Sequence, residues 1–299
     1  MHFWYPKDRI VLKAHLELFF NTYKNALDEH NIKSKYIWNC DETMLDGGKS
    51  RKKLVCEKQG NEAVAIEQNM SEHITLLLFT SAAGEWIKPL AIFPLKTLPE
   101  FAPSVYIDFN ISGQENGWIN GPIFKNYIQH YFVEHVTKMR ETNGENDEPV
   151  LLVMDHHISR DALDAEKLWR DHRILLLLIP AHSSHITQPL DLSTNGEFKQ
   201  KLRERFQYIS GEDASSKRNR LLQISARVLS RVNNKDTILT GWERAGLWPY
   251  NPEIAYKSSA VVETIEQLPS KANNHKRKRG MRIDGGQIIY DGTHAIASP

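Results

Sequence analysis

The chain has 299 residues, 40% of them hydrophobic and 25% charged, enough to bury a sizeable core unaided; small stapled scaffolds, fibres and disordered tracts are excluded. Lys and Arg number 38 against 37 Asp and Glu, a net charge of +1, so attraction to nucleic acid has to come from local concentrations of charge. The two cysteines, Cys40 and Cys56, are too few for a disulfide framework or a four-Cys zinc site, which suits an intracellular compartment.

Leu12, Leu16, Phe19, Phe20, Tyr23 and Leu27 recur at spacings of three and four and predict an amphipathic packing helix ending near Asn31. Lys35 to Asp41 predicts a short strand that delivers Asp41 at its carboxyl end. Two β stretches, His73 to Thr80 and Trp86 to Phe93, flank the short Gly84-bearing loop of an antiparallel hairpin. A further strand is expected at Val105-Tyr106-Ile107. Phe124, Tyr127, Ile128, Tyr131, Phe132 and Val136 give helical spacing across 123–139. The apolar runs Val150 to Met154, followed by Asp155, and Ile174 to Ile179 read as buried parallel strands, with a helix at about 161–172 between them and another after Asp191.

Alternation of strands and helices in this order implies an α/β fold, a mixed sheet with helices on its faces, whose sites form beyond the carboxyl ends of strands. We expect a helical lead-in over 1–34, a main domain over 35–255 and a flexible basic tail over 256–299. The start lacks the pattern of a secretory signal and no apolar run nears the ~20 residues that span a bilayer, so a membrane partner is not expected.

Asp41 and Asp155 lie at expected strand ends and Asp191 at a loop-to-helix boundary. Three convergent carboxylates offer the hard oxygens that Mg²⁺ or Mn²⁺ prefers, and two such ions can activate a water and stabilise the leaving oxygen in phosphodiester cleavage. Taken one at a time, each Asp is more readily a helix cap or loop residue, a reading that three strand or loop ends together weaken.

Four motifs stand in order: Asn39-Cys40-Asp41-Glu42-Thr43, Leu151-Leu152-Val153-Met154-Asp155-His156-His157, the stretch Pro180 to Asp191 (PAHSSHITQPLD), and the stretch Gly241 to Pro252 (GWERAGLWPYNP). Together they resemble the DDE-type transposases of the pogo and jerky group, including the domesticated centromere-protein-B-like proteins, over roughly residues 15 to 255. The resemblance implies a ribonuclease-H-like fold, with Asp41, Asp155 and Asp191 as the metal-binding catalytic triad of a Mg²⁺-dependent (or Mn²⁺-dependent) DNA endonuclease or transposase using two ions. It also implies action as a homodimer. Met44 stands where the family usually carries Gly, and His156, His157 and Arg160 replace the usual continuation of the second motif. Glu42 neighbours Asp41, but successive strand residues point to opposite faces, so Asp41 is the expected ligand.

His157, His182 and His185 are candidates for contacts to the DNA backbone or for orienting the carboxylates; a zinc hydrolase is the weaker reading, because no His-Glu-x-x-His helix or Cys pair accompanies them. From Lys199 to Arg231 nine basic residues face three acidic ones. Lys199, Lys201 and Arg203 are the foremost candidates for neutralising DNA phosphates, whereas Phe198, Leu202, Phe206 and Ile209 fit packing. Lys276-Arg277-Lys278-Arg279 suits a nuclear localisation signal. The alternative function is a domesticated, catalytically inactive DNA-binding or chromatin protein. The about 35 residues ahead of Asn39 are too few for a helix-turn-helix module, which favours it.

Overall fold

A computed structural model of the chain describes residues 10–45, 74–155, 166–206, 209 and 211–264, and the backbone of 288–290. The central sheet contains β2 (Ile37–Leu45), β3 (Ile74–Ser81), β4 (Leu90–Phe93), β5 (Asn110–Gly113), β6 (Val150–Met154), β7 (Ile174–Leu178) and the edge strand β9 (Ile288–Tyr290), in the order β5-β4-β3-β2-β6-β7-β9. Strands β2, β6 and β7 run parallel, β3 and β4 follow as antiparallel neighbours, and β5 is parallel to β4. A separate two-stranded pairing joins β1 (Val11–Leu12) to β8 (Val261–Val262).

All eight residues of β3 are buried. Leu77 and Phe79 point into one apolar cluster and Leu76 and Leu78 into the other, because alternate side chains of a strand face opposite sides. The first cluster takes the buried stripe Leu16, Phe19, Phe20 and Tyr23 of the helix Lys13–His30, together with Phe124, Tyr127, Phe132 and Val136 of the helical stretch 121–143. The second takes Phe198, Leu202 and Phe206 at and beyond the helix Thr194–Arg205, and Leu221, Leu222 and Val228 of the helix Ala214–Val232. Helices thus cover both faces, which is why the central strands read as continuous apolar runs.

The first helix ends as expected, at Asn31 in the left-handed region (φ 49°). Four local expectations need correction. Val105 to Ile107 lies in the helix Pro103–Asp108: Pro103 pre-sets the first helical turn, and the strand forms five residues later, as β5. The second arm of the hairpin is shorter than its apolar run, since Trp86 makes only an isolated bridge to Thr80 before β4 begins at Leu90. Asp41 sits within β2 and not at its end. Ile209 is exposed, unlike Phe198, Leu202 and Phe206. Among the described residues no helix is long and apolar enough to cross a membrane. Most of the basic tail, including Lys276 to Arg279, lies outside the described residues.

Candidate active site

The location of Asp41 and Asp155 follows from where one ladder stops. Parallel pairing of β2 with β6 ends at Cys40 and Met154, while β2 continues against β3 as far as Leu45 and Ile74. Asp41 is therefore the first β2 residue without a partner on the β6 side, and Asp155 the first residue after β6. A strand outrunning its parallel neighbour leaves a gap at that neighbour's carboxyl end, the usual position of a site in such a sheet.

The third carboxylate arrives by side-chain amides. Asn39 lies two residues before Asp41, on the same face of β2. Its Nδ2 donates to the Val153 carbonyl of β6 at 2.8 Å and its Oδ1 accepts from the Leu190 N–H at 3.2 Å. Gln188 Nε2 donates to the Cys40 carbonyl at 2.9 Å. These buried bonds dock the short helix Pro189–Leu192 over the strand, with Asp191 exposed in its first turn. Its far side rests on the helix Lys235–Arg244. Arg244 Nη1 donates to the Leu192 carbonyl at 3.1 Å, and a Cβ on Gly241 would stand 2.4 Å from the Pro189 carbonyl oxygen. The closing motif is thus the buttress of the third.

Asp41 and Asp191 are close enough to hydrogen-bond through their carboxyls. Asn195, a buried residue four positions beyond Asp191 and at the start of the next helix, donates from Nδ2 to Asp41 Oδ2 at 2.7 Å and to Asp191 Oδ1 at 3.3 Å. Asp155 accepts from Ser184 Oγ at 2.6 Å. Burial first, and then the negative charge of Asp191 and Asp155, hold the Asp41 carboxyl well above the usual carboxylate range. Glu42, on the opposite face, is pushed up to about 7 by burial and then by Asp155; its Oε1 is buried without a hydrogen-bond partner among the described residues.

These shifts set a pH dependence. A carboxyl whose folded pKa lies above its unfolded value holds extra protons in the folded state, so the stability it contributes is lost as pH rises from about 4.5 through 7. Without divalent ions, Glu42→Gln is expected to melt almost with the wild type at pH 4 and several degrees above it at pH 8. Melting curves across that range check the widening gap; a constant gap would contradict it.

Of the other sequence candidates, His182 is exposed in the turn after β7 (φ 67°) and His185 lies on the helix Ser184–Thr187. His157 lies outside the described residues. Lys199, Lys201 and Arg203 lie on the helix that carries Asn195, with Lys201 paired to Glu197 and Arg203 exposed. Arg220 is engaged by Glu212 at 2.6 and 2.8 Å and lies 4.3 Å from the centre of the Phe206 ring. Asn195, Ser184, Gln188 and Gly241 were not among the sequence candidates. For Asn195 the available signal was its place only four residues after Asp191, near enough in sequence to reach the same site across the break at Ser193.

Among the described residues, no three His, Cys, Asp or Glu side chains stand close enough to grip one metal ion as placed. The donor chemistry nevertheless suits a hard divalent cation. Asp41 and Asp191 are in contact, Asp155 is near enough to raise the Asp41 carboxyl, and a cation would relieve that like-charge crowding.

Residues 71–238 match the family model of the DDE superfamily endonuclease, more than half of the chain. The chain is 24% identical over 184 residues to the Jerky protein homolog of Homo sapiens, covering 61% of this chain and 32% of that protein. It is 25% identical over 285 residues to a protein named MFS-type transporter clz9 from Cochliobolus lunatus, covering 90% of this chain and 30% of that one. The chain thus spans about a third of the length of these curated relatives. Among solved structures, the mariner Mos1 paired end complex with Mg aligns with a TM-score of 0.53 at 15% identity, covering 86% of this chain and 64% of that one. The Mos1 Strand Transfer Complex aligns with a TM-score of 0.50 at 14% identity and the same coverage. The likeness is one of fold, the ribonuclease-H-like mixed sheet with helices on both faces.

Proposed function

This chain belongs to the DDE superfamily endonucleases, as a domain of the pogo and jerky transposase type, and from that premise we propose that it cuts or transfers DNA strands in the presence of Mg²⁺ or Mn²⁺. The observation that carries the reading is the meeting of Asp41 with Asp191, and Asp155 close by, at the point where β2 outruns β6. One structural relative was crystallised as a paired end complex with Mg, which supports a divalent ion in this fold. Asp41, Asp155 and Asp191 would hold the ions, whose chemistry when bound is to activate the attacking oxygen and stabilise the leaving one.

The chain's own groups have distinct tasks. Asn39 and Gln188 fix Asp191 against β2 through backbone bonds. Ser184 Oγ donates to Asp155 Oδ2 and would orient that carboxylate, as partners of ligating carboxylates do. Lys199, Lys201 and Arg203 extend along the helix that starts beside Asp191 and would neutralise the phosphates of a bound duplex. His182, exposed in the turn before Pro189, would contact the DNA backbone, and His185, whose Nε2 is buried, would orient groups beside the carboxylates. Action as a homodimer and nuclear import through Lys276 to Arg279 belong to the same proposal.

The test is nicking of supercoiled plasmid by purified protein in Mg²⁺, beside an Asp41→Ala and Asp191→Ala double variant. The expected result is relaxation of the plasmid by the wild type alone. Salt-sensitive DNA binding without nicking would overturn the catalytic reading and favour the domesticated binding protein.

A further inference from the structure

Asn195 is nearly inaccessible to solvent, yet its side chain spans the two carboxylates that come from the most distant parts of the chain, Asp41 and Asp191, at 2.7 and 3.3 Å from one Nδ2. Ionised carboxylates, the form that holds a cation, only accept hydrogen bonds, and the NH₂ end of the amide faces both of them; the Oδ1 end has no hydrogen-bond partner among the described residues. Burying an amide with an unsatisfied oxygen is costly, and packing alone would be met better by an apolar side chain of that size. Asn195 is also fixed in position, by the first turn of the helix Thr194–Arg205 and by flanking Thr194, whose Oγ1 bonds Asn233 Oδ1 at 3.4 Å. A neutral donor between two like charges lets them approach without adding a third charge that would compete with a cation.

On the reading of Asp41, Asp155 and Asp191 as a divalent-ion site, we propose that Asn195 is a positioning residue that sets the spacing of Asp41 and Asp191 for the ion. It touches neither ion nor DNA in this role; it orients the ligands, as partners of ligating carboxylates do in other metal sites.

The experiment is titration of Mn²⁺, read by the loss of the free-ion signal in electron paramagnetic resonance, on wild type, Asn195→Leu, Asn195→Ser and Asp191→Asn. Leu keeps the branched heavy-atom shape, with bulkier methyl ends, and removes the donor; Ser leaves a hydroxyl donor in a smaller side chain. Melting curves without metal identify variants that are folded. The expected result is a 10- to 100-fold weaker Mn²⁺ affinity in folded Asn195→Leu, partial recovery in Asn195→Ser, and near-complete loss in Asp191→Asn. A structural role would lower the melting temperature and leave the affinity of the folded fraction unchanged. Wild-type affinity in Asn195→Leu beside loss in Asp191→Asn overturns the positioning role and spares the site. Weak, equal binding by wild type and Asp191→Asn overturns both.

Discussion

Asp155→Asn is expected to fold, to lose Mn²⁺ binding, and to lose divalent-dependent DNA nicking by roughly 10³-fold, the rate equivalent of the several kcal/mol that a metal ion contributes to a transition state. The substitution keeps the shape of the side chain and its bond partner, since an Asn carbonyl can still accept from Ser184 Oγ at the end of β6. It removes one charge from a crowded group. Asp155 helps to raise both the Asp41 and the Glu42 carboxyls, so the metal-free variant should melt slightly above the wild type at neutral pH. Loss of binding with unchanged or raised stability separates a ligand from a scaffold residue. Unchanged Mn²⁺ affinity in the folded variant would defeat the assignment of the triad.

The second large effect comes from a residue with no reactive atom. Gly241→Ala places a Cβ 2.3 Å from Ser193 Oγ and 2.4 Å from the Pro189 carbonyl oxygen. The hydroxyl can rotate away, but the carbonyl belongs to the backbone of the helix that carries Asp191 and is tied to β2 by Asn39 and Gln188. The helix must shift or the Lys235–Arg244 helix must retreat, and overpacking of this kind costs about 1–3 kcal/mol. At about 2–4 °C per kcal/mol for a domain of this size, the melting temperature should fall by several degrees. Divalent affinity should fall with it, because Asp191 moves relative to Asp41. Gly196→Ala is the control: its Cβ would meet nothing within 4 Å, and Ala in a helix is favoured over Gly by about 0.5–1 kcal/mol, so that variant should be as stable as the wild type or more so. Equal behaviour of the two variants would show that the buttress does not exist.

Much of this arrangement was legible in the sequence. Uninterrupted apolar runs at β6 and β7 announced buried strands, and the stripe from Leu16 to Leu27 announced a helix packed on one side. The motifs containing Asp41, Asp155 and Asp191 carried the family resemblance. The rest was hidden for specific physical reasons. Val105-Tyr106-Ile107 has strand-forming side chains, and the preceding Pro103 settles the matter in favour of helix only once Val105 is buried in the same apolar cluster as Phe101. The extension of β2 past Asp41 depends on pairing with β3, a partner that lies beyond residue 73. The function of Asn195 is invisible in isolation, because it arises from a contact with Asp41, 154 positions away. Gly241 likewise reads as a helix-weakening residue until the Pro189 carbonyl is placed against it.

The most direct test of the central claim, that three acidic residues from separate motifs form one divalent-ion site, is anomalous scattering from crystals of the protein grown in Mn²⁺. The expected result is a peak in contact with Asp41 and Asp191, with the Asp155 carboxylate in reach of it. A structure with Mn²⁺ bound elsewhere, or with no peak between Asp41 and Asp191, would contradict the account.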